Sequence, residues 1–209
     1  MDLAAFANTV LSLFVIVDPV GCLPVFAAIT RRKTRAQRRA TIRRAVTIAL
    51  CVLVLFALAG HWMLGYLGIG MPAVRIAGGI LLFLIGIEML YGRVTQTTTS
   101  AGEEEEAVEK DDVSVTPLAI PLLAGPGSIA AVILLSGDAG EQRAVVPVVA
   151  AIAVVLGVTW LLLSTTDTLL AVLGRIGVRV VARVMCLLLL FLSVQQVIDG
   201  LRALQIIEG

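Results

Sequence analysis

Asp18, Pro19, Val20 and Gly21 stand together in the middle of an apolar run that extends from about Leu3 to Ile29. An ionised Asp at mid-bilayer costs roughly 2.5–3.5 kcal/mol on insertion scales, so it normally faces a bundle interior or water. Pro19 removes one backbone donor and clashes with the preceding turn, and Gly21 tolerates the irregular conformation that results. Backbone groups freed in this way cannot face lipid and must line protein or a cavity. The break presents the start of a half-helix, whose N–H groups and dipole suit an anion such as a substrate carboxylate. A second cluster, Ala124, Gly125, Pro126, Gly127 and Ser128, interrupts a later run, and Pro126 follows Pro19 by 107 positions (126 − 19). One such cluster reads as a proline kink. Two in corresponding halves of a chain point to a midplane transport site.

Asp18 carries two readings that are compatible. An N-cap Asp with Pro at the first helical position is a strong local signature for the start of a helix. The same carboxylate is a candidate site for a coupling H⁺ or Na⁺, or a partner for a substrate ammonium group. Glu88 is the only other acid well inside an apolar run, which makes it a candidate for coupling or gating; snorkelling to a nearby membrane face is the alternative. Gln195, Gln196 and Asp199 either line the outer half of a path or bond neighbouring helices.

These residues need long helices to hold them. The chain has 209 residues, 59% of them hydrophobic, and a mean hydropathy of +1.02. A soluble domain could not cover so much apolar surface, and the runs near 20 apolar residues place the chain in a membrane. Six spans are expected, at about 3–29, 45–67, 71–91, 116–136, 144–166 and 176–204. His61, Trp62 and Tyr66 form an interfacial anchor at the end of the second. Cys22, Cys51 and Cys186 lie in apolar runs without metal-ligand spacing and read as small packing residues. Met1 and Asp2 precede the first run with no basic region, so a cleavable signal peptide is not expected.

Eight cations between Arg31 and Arg44, with no acid among them, dominate the charge pattern. If that loop is cytoplasmic, 13 of the 16 basic residues fall inside, which predicts both termini outside. The stretch 92–115, with seven acids including Glu103 to Glu106, reads as a solvated cytoplasmic linker. Nucleic-acid binding by the basic loop is not expected beside a membrane, whereas affinity for anionic lipid is. Gly78, Gly79 and Gly86 in the third span read as close helix-packing positions.

Residues 75–92 (RIAGGILLFLIGIEMLYG) match 183–200 (RVMCLLLLFLSVQQVIDG) at six of eighteen positions, an offset of 108 (183 − 75). Each half has three spans, an odd number, so the second half enters from the opposite face. The expected fold is an all-α polytopic membrane protein with a 3+3 inverted-topology repeat and broken first and fourth helices. Its parts are a first repeat at 1–91, the linker at 92–115 and a second repeat at 116–209. No G-x-S-x-G, H-E-x-x-H or P-loop pattern occurs and there is one histidine, so neither an enzyme nor a nucleotide-driven pump is expected.

FVIVDPVGCLPVF (14–26), RIAGGILLFLIGIEML (75–90) and TPLAIPLLAGPGSIAAVI (116–133) together resemble the MarC family of bacterial and archaeal inner-membrane proteins, within the LysE-type exporter superfamily. The resemblance covers essentially the whole chain. It implies a 3+3 transporter-like fold and transport of small neutral amino acids such as glycine and alanine, with Asp18, Pro19, Gly21, Gly125, Pro126, Gly127 and Ser128 at the matching motif positions. Cys22 stands where Asn is expected in many relatives. The expectation is a secondary transporter of a small zwitterionic solute with no cofactor, coupled to H⁺ or Na⁺, in the prokaryotic inner membrane and a candidate homo-oligomer. The alternatives are a passive channel or lipid-handling protein, or a scaffold that dimerises through the glycines of the third span.

Overall fold

The computed structural model describes residues 3–31, 33–91, 119–120, 122–137 and 142–205. The acidic linker, Pro117 and Pro121 lie outside the described residues, and so do the two chain ends. The described residues form seven helices and no strand: α1 Leu3–Val17, α2 Cys22–Ile29, α3 Arg35–Tyr66, α4 Met71–Leu90, α5 Pro126–Gly137, α6 Gln142–Ser164 and α7 Thr166–Ala203.

Four stretches are long and apolar enough to cross a bilayer: 35–66, 71–90, 145–164 and 176–203. α1 and α2 are together apolar and long enough for a further span, with 46° between the two helices at the break. The expected fourth span is described as the 12-residue α5, shorter than a crossing, preceded by a π turn in which Ala124 N–H donates to the Ala119 carbonyl at 2.9 Å. Its interruption falls at Gly125, as the sequence predicts.

Two boundaries differ from expectation for local reasons. The helix of the second span starts at Arg35, ten residues ahead of its apolar run. There Thr34 Oγ1 accepts from Gln37 N–H at 3.3 Å while Gln37 Oε1 accepts from Thr34 N–H at 2.9 Å. This capping box turns most of the basic loop into helix. At the other end, Gly68 at φ +69 closes α3: its N–H donates to Gly65 O, and Ile69 N–H reaches back to Leu64 O at 2.9 Å. The sixth span starts early too, because α7 continues to Thr166 beyond a kink at Gly174 (φ 64, ψ 178).

Most of the buried apolar residues form one cluster drawn from α1, α2, α3, α5 and α6, together with Ala119, Leu123 and Ala124. Outward faces carry Leu55, Leu58, Trp160, Leu161 and Phe191, as a lipid-facing surface requires. Trp62 and Tyr66 are exposed at the end of α3, consistent with the interfacial anchor.

α4 and α7 lie antiparallel, and glycine sets how closely. A Cβ on Gly79 would stand 2.8 Å from the Ser193 carbonyl oxygen, one on Gly86 2.8 Å from Leu190 Cδ2, and one on Gly200 3.0 Å from the Pro72 carbonyl oxygen. Gly78 meets Ala130 of α5 in the same way, at 3.2 Å. The packing role expected of Gly78, Gly79 and Gly86 is therefore fulfilled within the chain. The face that carries these glycines is covered by α5 and α7 of the same chain.

Candidate functional site

The apolar run of the first span is helical up to Val17, where Asp18 adopts φ +43, a left-handed conformation that Asp tolerates better than most residues. Asp18 N–H still bonds to Phe14 O at 3.1 Å, and the Asp18 carbonyl accepts from Cys22 N–H at 3.2 Å, the first bond of the next half-helix. Gly21 N–H donates to Asp18 Oδ1 at 3.1 Å. The Asp18 carboxylate thus closes the turn 19–21 that leads into α2 at Cys22; the sequence expectation of a helix starting at Pro19 with Asp18 as its N-cap is corrected, because residues 19–21 form a turn and Gly21 stands at the N-cap position. The carboxylate also explains Gly21, since a Cβ there would overlap it. Asp18 is 8% exposed, and among the described residues no basic side chain forms an ion pair with it. Pro19 is buried and Val20 half-buried.

The second break is built alike but closed differently. α5 begins at Pro126, and Ile129 N–H donates to Gly125 O at 3.0 Å. The amides of Gly127 and Ser128 precede that bond and have no acceptor within the helix. Gly125, which stands at the position of Asp18 under the 107-residue offset, brings no side chain to cap them. Gly125, Gly127 and Ser128 are buried, and Pro126 is exposed. Gly127 faces α4, with Leu82 Cδ2 2.6 Å from where its Cβ would stand.

The two breaks share the main buried cluster: Val17, Cys22 and Leu23 on one side, Leu123, Ala124 and Ala131 on the other. On α7, Cys186 is buried as Cys22 is, though it lies outside that cluster. The remaining candidates are placed elsewhere. Gln195 is exposed, and its Nε2 donates to Asp199 Oδ1 at 2.8 Å, a pair one helical turn apart on the surface of α7. Glu88 and Gln196 are both half-buried. The α4–α7 register sets Glu88 level with Cys186 and Gln196 level with Gly79, roughly 14 Å apart at 1.5 Å per residue.

Described residues that are helical throughout their regular structure, with several membrane-length apolar helices and apolar outer faces, define an integral membrane protein. A family profile described as "MarC family integral membrane protein" matches residues 3–205, and the chain belongs to that family. It is 39% identical over 202 residues to a UPF0056 membrane protein of Methanocaldococcus jannaschii, covering 97% of this chain and 98% of that one. It is 35% identical over 199 residues to a UPF0056 membrane protein of Aquifex aeolicus, covering 95% and 93%. A UPF0056 inner membrane protein of Escherichia coli is 35% identical over 190 residues, covering 91% and 92%. No solved structure matches the chain.

Proposed function

We propose that this protein is a secondary transporter of small neutral amino acids of the glycine and alanine kind, with its site at the two helix breaks. The observation that carries this reading is the asymmetry between the half-helix starts. The turn into α2 carries its own carboxylate, which accepts the Gly21 amide; the start of α5 has Gly125 at the corresponding position and amides without a helical acceptor. A substrate carboxylate on the Gly127 and Ser128 amides would play at the second break the part that Asp18 plays at the first. The substrate ammonium would then meet the Asp18 carboxylate, beside Pro19, Val20 and Gly21. A buried carboxylate without a basic partner favours a cation nearby, so coupling to H⁺ or Na⁺ is assigned to Asp18 as well. Glu88, Gln195 and Gln196 are secondary candidates for gating.

A 3+3 inverted repeat supports alternating access in this scheme. α3 packs on α5 as α6 packs on α1, the reciprocal pattern that a pseudo-two-fold would produce, and α4 pairs with its repeat-mate α7 in antiparallel register. The basic loop faces the cytoplasm and both termini face outward, in the inner membrane of a prokaryote. The test is counterflow of labelled glycine or alanine in proteoliposomes of the purified protein. Saturable counterflow lost in Gly127→Leu supports the reading; flux without saturation or counterflow would instead assign a passive channel.

A further inference from the structure

The N-terminal end of α3, the end of α6 and the start of α7 line an open cavity of about 200 Å³ that contains none of the residues of either break. Arg35, Arg38 and Arg39 line it from α3, and Ser164, Thr165, Asp167 and Thr168 face them from the α6–α7 junction. Arg38 is fixed: its Nη1 donates to both Asp167 oxygens, at 2.9 and 2.8 Å, and its guanidinium lies 5.3 Å from the centre of the Phe26 ring. Asp167 therefore neutralises one of the three cations. Arg35 and Arg39, one helical turn apart, form no ion pair among the described residues and leave the cavity with an excess of two positive charges.

The depth of the cavity identifies its ligand. The apolar window of α6 runs from Val145 to Ser164, 20 residues or about 30 Å of helix, the thickness of the hydrocarbon core. Ser164 and Thr168 thus stand where acyl chains give way to headgroups, and the buried Ile42 and Leu163 form an apolar wall on the membrane side. The Arg35 and Arg39 guanidinium forks and the hydroxyls of Ser164, Thr165 and Thr168 at that level match a phosphodiester. We propose that this cavity binds the headgroup phosphate of an anionic phospholipid. A zwitterionic lipid offers the same phosphate but adds an ammonium group that the excess positive charge repels. The site stands independently of the transport reading.

The test uses the full-length protein in neutral detergent and follows thermal unfolding and lipid retained in native mass spectra. Phosphatidylglycerol, phosphatidylcholine and inorganic phosphate are the probes. Phosphatidylglycerol should raise Tm and remain bound, with phosphatidylcholine doing so far less. The double variant R35Q/R39Q should weaken the phosphatidylglycerol response by about tenfold or more. R31Q/R44Q removes the same charge from the basic stretch without touching the cavity lining and should keep the response. Equal loss in both double variants would mean diffuse attraction to the basic stretch and overturn the site. Equal stabilisation by inorganic phosphate, in competition with the lipid, would reassign the ligand as a free ion. A lipid response that emerges only once Glu103 to Glu106 are changed to Gln would place the chain's own acidic stretch there and overturn the lipid assignment.

Discussion

The Asp18 carboxylate occupies the space that a side chain at residue 21 would need, and it accepts the Gly21 amide at 3.1 Å. Carboxylate and glycine are therefore one device, and their substitutions should not be additive. Asp18→Ala loses the bond to the Gly21 amide, at a cost of about 0.5–2 kcal/mol. Gly21→Ala forces the carboxylate out of its place, with a strain cost of about 1–3 kcal/mol. In Asp18→Ala/Gly21→Ala the new methyl group meets no carboxylate, so the double variant should be more stable than the two single losses predict. Unfolding in detergent for all four proteins measures the coupling, and additive losses would remove the link.

Asp18→Asn separates the two roles of this residue. Asn accepts a backbone amide as well as Asp does and also tolerates φ near +43, so stability should stay within about 0.5 kcal/mol of the parent. The charge is gone, however, and with it the group assigned to a coupling cation and to the substrate ammonium. Counterflow of glycine or alanine should be abolished in a protein that unfolds at nearly the parent temperature. Retained transport in Asp18→Asn would leave the carboxylate with closing the turn alone.

Glycines in the helices should sort by what their missing Cβ would meet. At Gly79 and Gly200 the nearest obstacles include backbone carbonyls of the facing helix, at 2.8 and 3.0 Å, and these cannot step aside without moving α4 from α7. Alanine at either site should cost about 1–3 kcal/mol. At Gly86 the near contacts are the end of the Leu190 side chain, which can change rotamer, so Gly86→Ala should cost less. Gly157 meets nothing within 4 Å, and Gly157→Ala should be neutral or stabilising by up to about 1 kcal/mol. The order of melting temperatures across the four variants checks the packing directly.

The breaks themselves were legible because proline and glycine act on the backbone locally: D-P-V-G and A-G-P-G-S mark where α2 and α5 begin. The place of Asp18 at the first break was legible for the same reason, but not the turn 19–21 that sets α2 back to Cys22. The start of α3 was legible too, in Thr34 and Gln37 at capping-box spacing, but the apolar run beginning near Ala45 masked it. Charge there misled about helix length, since cationic side chains on a helix can reach water beyond the membrane. The approach of Gly79 to Ser193 and the pairing of Arg38 with Asp167 could not be read, because each joins positions more than a hundred residues apart. Only packing of the two halves brings them together, and no local propensity encodes it.

The Arg38–Asp167 pair should be unequal under substitution. Asp167 is largely exposed, at 72%, and its side chain gives up little beyond a solvent-screened ion pair, so Asp167→Asn should cost less than about 1 kcal/mol and less still in high salt. Arg38 is 18% exposed and covers the Phe26 ring, which is itself fully buried. Arg38→Ala therefore removes the ion pair, the cation–π contact and the cover over Phe26 at once, for a loss of about 1–3 kcal/mol that salt should only partly screen. Arg38→Lys keeps the charge but not the planar fork over the ring, and should fall between the two. Unfolding temperatures of the three variants at low and high salt decide it: a loss in Arg38→Ala no larger than that in Asp167→Asn would mean that the pair holds α3 to α7 by charge alone.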